Sequence, residues 1–150
     1  MFKCVEMDSV SLERKMREAA CVIVNRVALL RKGFNVLIIC GVHNKPFAEE
    51  LTRESYHAGA FPFLWMFDDG LFLRDARTVD DEAVAKVPEH VRSLLEKSDV
   101  VMWLSQFDNL ERLQAKAMRA VVSFWNRVDE SVRGKPLLYV NMLSARCMEG

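Results

Sequence analysis

Two short polar stretches close apolar runs in this sequence. Gly41-Val42-His43-Asn44 follows NVLIIC, and Ser105-Gln106-Phe107-Asp108 follows VVMWL. Open α/β sheets bind ligands beyond the carboxyl ends of their strands, where the winding direction reverses. Gly41, His43, Asn44, Ser105, Gln106 and Asp108 are therefore the candidate cleft-lining residues. The chemistry they offer is limited. Gly41 stands alone, without the G-x-G-x-x-G that lets a pyrophosphate approach the backbone, and no G-x-x-x-x-G-K-[ST] occurs in the chain. A plain tight turn is the simpler reading, and a nucleotide pocket is the alternative.

Other reactive side chains are scattered. His43 lies three residues after Cys40, and no second pair follows at finger spacing. His57 falls near a helix end and His90 in a first helical turn, which are surface or capping positions. Asp68-Asp69-Gly70 reads as turn chemistry rather than a carboxylate pair for acid–base work. Ser105 and Ser144 follow strands without a G-x-S-x-G elbow. None of Cys4, Cys21, Cys40 and Cys147 forms a C-x-x-C pair, so reduced thiols in a cytoplasmic protein are expected. The residues alone thus assign no catalytic group and no metal ligand.

The elements that position these residues are readable from periodicity. Leu12, Met16, Ala19, Ile23, Val27 and Leu30 recur at steps of three and four, which predicts a helix from Ser11 to Lys32. Ser11 is its expected N-cap, and Lys32-Gly33 its expected end. Asn35–Gly41 is apolar on both faces, as a central parallel strand requires. A helix over Lys45–Ala58 carries Pro46 in its first turn and stops at Gly59. Phe61–Phe67 (FPFLWMF) is a second strand, and Pro62, which cannot donate to a ladder, belongs at the strand start or on a sheet edge. So apolar an edge strand is expected to be core or to be covered by another domain or subunit. Leu71–Val87 has no clean period, and short helical pieces are expected there. A helix from Pro88 to Lys97 turns Val91, Leu94 and Leu95 inward, and Val100–Leu104 is a third strand. A helix over Leu110–Val128, the stop Gly134-Lys135-Pro136 and a strand over Leu137–Met142 complete the chain.

Strands alternating with helices predict a three-layer α/β/α, Rossmann-like domain. Its sheet has four strands, mostly parallel, in the order 2-1-3-4. The chain has 150 residues, 51% hydrophobic and 28% charged, which suits one globular domain. Lysine plus arginine equals aspartate plus glutamate at 21 each, so no electrostatic attraction to nucleic acid or an anionic membrane is expected. MFKCVEMDSV lacks the apolar centre of a signal peptide, and no apolar run nears the roughly 20 residues that span a bilayer. The chain stops shortly after its last strand, as a piece of a longer protein would.

Several of these stretches also carry a family likeness. LLRKGFNVLII, LTRESYHAGA and FPFLWMF follow one another as a helix ending in a lysine–glycine turn, a strand, a helix with an AGA-type end and an aromatic strand. Later come PEHVRSLLEKSDVVMWLSQFDN and KPLLYVNMLSARCMEG. This succession resembles the opening of the M29 metallo-aminopeptidases, the aminopeptidase T or leucyl aminopeptidase-like type. The family's Pro-Thr after the last strand is replaced here by Met142-Leu143-Ser144-Ala145. The resemblance implies that residues 1–150 are the non-catalytic amino-terminal domain of a homodimeric peptidase, shaping substrate access and the subunit contact. It also implies that two divalent metal ions are held by glutamates, histidines, an aspartate and a tyrosine of a carboxy-terminal catalytic domain. None of those positions lies in this chain, so no ligand or catalytic residue is transferred. The other readings are a small-ligand or nucleotide-binding flavodoxin-like module, and an interaction domain without enzyme activity.

Overall fold

The computed structural model describes residues 3–68, 86–104 and 115–140. Its organising element is β1 (Asn35–Gly41), buried at every position after Asn35. Even-numbered side chains of β1 point to one face of the sheet and odd-numbered ones to the other, so both faces must be covered. Val36, Ile38 and Cys40 pack with Val100, Met102 and Leu104 of β3 (Val100–Leu104), beneath Ala20, Val24, Ala48 and Leu51. Leu37, Ile39, Val101 and Trp103 form the opposite core with Leu95, Phe124, Trp125 and Val128. Each fully buried branched side chain contributes about 1.5–3 kcal/mol.

All strand pairings are parallel, in the order β2-β1-β3-β4, with β2 spanning Phe61–Phe67 and β4 Leu137–Val140. This is the order expected from the sequence. It puts Pro62 on an edge strand, and the geometry explains why it is tolerated. The Phe61 N–H donates to the Phe34 carbonyl at 2.7 Å, so odd residues of β2 bond inward to β1. The backbone of Pro62 therefore faces the outer edge, where a missing N–H costs no ladder bond.

The helices around the sheet are α1 (Lys3–Val22), α2 (Lys45–His57), α3 (Glu89–Lys97) and α4 (Ala115–Ser131). α1 and α2 lie on the side of Val36 and Ile38, and α3 and α4 on the other. α2 buries Phe47, Ala48, Leu51 and Ser55, one face at helical spacing. Pro88 stands at the N-cap of α3, which buries Leu95 and half-buries Val91 and Leu94.

Both predicted ends of the first helix need correction. Ser11 lies inside α1, whose start is at Lys3, so it is not the N-cap. At the other end the helix stops well before Lys32-Gly33, through a π turn over Ile23–Val27. The Ala28 N–H reaches back five residues to the Ile23 carbonyl at 2.7 Å, and the Leu30 N–H six residues to Val24 at 3.0 Å. Leu29 takes the left-handed conformation, φ 49°, that glycine was expected to supply. The wider turn rotates the face, so Val27 is exposed and Leu30 buried. Gly33 instead forms a tight turn at φ 88°, its N–H donating to the Gly59 carbonyl at 2.9 Å. α4 runs past the expected Val128 to Ser131. Residues 71–85, residues 110–114 and Met142 lie outside the described residues.

Candidate functional site

The winding direction reverses between β1 and β3, which places the candidate crevice at their carboxyl ends. Gly41 is the buried last residue of β1, and Val42–Asn44 follows as one 3-10 turn leading into α2. Gly41 has φ −80° and ψ 163°, an extended conformation open to any residue, so its backbone does not require glycine. Val42 and His43 are exposed, while Asn44 is only 5% exposed. Asn44 Nδ2 lies 3.1 Å from His43 Nε2. The amide donates to this ring nitrogen when the imidazole carries its proton on Nδ1, leaving the Nδ1–H directed elsewhere.

α2 begins at this turn without a side-chain cap from Asn44. Pro46 removes one of those donors, and Lys45 faces Glu49 across 3.6 Å on the surface. This start is a poor phosphate cradle: no glycine loop, one N–H missing, and its lysine beside a carboxylate. Of the predicted cleft residues, Gly41, His43 and Asn44 come together on one turn. Ser105, Gln106 and Asp108 lie outside the described residues, as do Asp69 and Ser144.

The remaining candidates are dispersed. His57 Nδ1 is 3.5 Å from Glu54 on the surface of α2, and His90 is exposed in the first turn of α3. Burial raises the Cys40 thiol from 9.0 to about 11, which suppresses the thiolate that a nucleophile needs. Cys21 is exposed and accepts from Asn25 Nδ2 at 3.5 Å. Among the described residues, no three of His, Cys, Asp and Glu converge to hold a metal ion. A shallow surface depression of about 490 Å³ lies at the start of α3, lined by Lys86, Val87, Pro88, Glu89 and Arg92, away from the His43 turn in sequence and element.

Sequence periodicity misses three polar anchors. Glu50 is buried between α1 and α2. Its Oε1 accepts from Arg53 Nη1 at 2.7 Å, while Oε2 lies 3.7 Å from Arg17 Nε and has no hydrogen-bond partner. Lys135 Nζ donates to the carbonyls of Leu95 at 3.2 Å and Ser98 at 2.8 Å, and also to that of Glu96. It places a charge on the C-terminal carbonyls of α3 from 40 residues away. Asn35 donates its N–H to Asp99 at 2.7 Å, tying the start of β1 to the start of β3. The Glu50–Arg17, Lys135 and Asn35–Asp99 contacts are non-local, so spacing along the chain gives no sign of them.

With this geometry in view, the chain can be set beside known proteins. No family model matches the sequence, and no curated protein does. Among solved structures, wild-type AmpT from Thermus thermophilus is similar, with a TM-score of 0.63 over 79% of this chain at 20% sequence identity. The match covers 32% of the AmpT chain, so this chain spans about a third of that protein's length. A likeness at this identity shows the fold: the four-stranded parallel sheet between helices recurs in the larger protein. No helix of the described residues is long and apolar enough to cross a membrane.

Proposed function

We propose that residues 1–150 form the amino-terminal domain of an M29-type metallo-aminopeptidase, a domain that shapes access to a catalytic centre built elsewhere in a longer chain. The observation that carries this reading is the fold likeness to AmpT over 79% of this chain and 32% of that one. The family phrasing of LLRKGFNVLII, LTRESYHAGA and FPFLWMF supports it independently. The described residues do not fit a metal pair, since no ligand cluster forms among them. The two divalent ions would be held by the glutamates, histidines, aspartate and tyrosine that the resemblance assigns to the carboxy-terminal domain. Metal bound there would lower the pKa of water or polarise the peptide carbonyl. Peptides are then the substrates, and the Gly41–Asn44 turn lines the approach to that centre at most. The free thiols of Cys21 and Cys40 support a reducing, cytoplasmic setting. We also take the protein to be a homodimer.

Hydrolysis of an amino-terminal leucine substrate, with divalent metal added, tests this reading. The 150-residue chain should be inert, and a longer protein containing it should be active and lose activity to a chelator. Cleavage by the 150-residue chain, or tight binding of two metal ions to it, would overturn the assignment. So would a longer protein that stays inactive with every divalent metal.

A further inference from the structure

We infer that the carbonyl oxygens of Leu95, Glu96 and Ser98 form a binding site for a large monovalent cation, potassium or ammonium, and that the chain fills this site with the ammonium of its own Lys135. α3 ends at Lys97, and the last carbonyls of a helix have no partner within it. The Ser98 hydroxyl donates to the Leu94 carbonyl at 2.7 Å. Lys135 Nζ donates to the next two, Leu95 at 3.2 Å and Glu96, and also to Ser98 just past the helix at 2.8 Å. Three oxygens thus converge on one point, and the three N–H donors of an ammonium match them one to one.

The donor set selects the class of ion. Only backbone carbonyls hold the Lys135 ammonium among the described residues, so the attraction comes from their dipoles and from the negative end of α3. Calcium and magnesium prefer carboxylate ligands at about 2.0–2.6 Å. Neutral carbonyls standing about as far from a cation as these are instead what replaces the water shell of potassium.

The oxygens are held in place without the lysine. Leu95 is fully buried in the core and Ser98 is 4% exposed. Lys135 reaches them from the connection between α4 and β4, where its own N–H donates to the Val132 carbonyl at 3.0 Å. The next residue, Pro136, accepts from the Val101 N–H of β3 at 3.1 Å. The bound ammonium therefore ties the end of α3 to the place where β4 joins β3. Truncating the side chain to alanine opens space for a free cation beside oxygens that remain positioned.

This site is independent of the peptidase reading, and its test reads stability alone. Urea unfolding of Lys135→Ala should depend on the cation supplied. Potassium or ammonium chloride at about 0.2 M should raise the folded-to-unfolded ratio about fivefold over the same concentration of tetramethylammonium chloride, as a Kd of about 50 mM gives. Magnesium chloride at equal ionic strength should give no such gain. The wild type, its site filled, should not distinguish these chlorides. If Lys135→Ala is unfolded in tetramethylammonium chloride, potassium chloride should refold it. A variant that responds alike to every chloride, one that stays unfolded in all of them, or a wild type that gains as much as the variant would each overturn the proposal.

Discussion

Two glycines with nearly the same backbone conformation offer a test of how tightly the α2–β2 junction is packed. Gly59 has φ 78° and Gly134 has φ 86°. Alanine at either site must enter the left-handed region, at about 1–2 kcal/mol per residue. The reduced freedom of the unfolded chain returns about 0.4–1 kcal/mol of that. For Gly134→Ala nothing lies within 4 Å of the new Cβ, so the net loss should be about 1 kcal/mol. For Gly59→Ala the Cβ would meet Lys32 Cγ at 3.2 Å, Cβ at 3.3 Å and Cα at 3.4 Å. Two of these atoms are fixed by the backbone, and the Gly33–Gly59 hydrogen bond at 2.9 Å holds that backbone in place. The strand must therefore shift, adding about 1 kcal/mol or more of overpacking. Urea unfolding should place Gly59→Ala about 2 kcal/mol below wild type, and Lys32→Gly should recover the packing part of its loss. Equal losses at the two glycines, or no recovery with Lys32→Gly, would refute the claim that Lys32 seals this junction.

Three further outcomes follow from the polar anchors and the turn. Lys135→Met should lose about 1–3 kcal/mol, because charge-assisted bonds to the α3 carbonyls disappear, and amide exchange should quicken at Glu96–Ser98. Cys40 is neutral in the fold, with its pKa raised by burial from 9.0 to about 11, so its contribution is full below pH 9 and is lost as pH rises through 9 to 11. The stability difference between wild type and Cys40→Ala should shrink across that window, and thiol reagents at pH 8 should label exposed Cys21 before Cys40. Adding ATP, NAD or FMN should leave the melting temperature unchanged, because the α2 start has no glycine loop and Pro46 removes a donor; a reproducible rise would instead favour a nucleotide-binding module.

The strand order was legible because two local features leave little choice. Val36–Cys40 is apolar at every position, which only a strand covered on both sides can bury, and Pro62 cannot stand inside a sheet. Right-handed crossovers then complete the order β2-β1-β3-β4. The end of the first helix was not legible for an equally physical reason. Ile23 to Val27 is a four-residue step that looks α-helical, yet the backbone closes a five-residue turn there and turns Val27 outward. Hydrophobic spacing records which residue types are present, and one inserted residue in the hydrogen-bond ladder changes where they point. At the candidate site the Gly41–Asn44 turn could be read, but not the burial of Asn44 or its contact with His43. Glu50 was equally hidden, since its nearest charges are Arg53 one turn on and Arg17 on another helix.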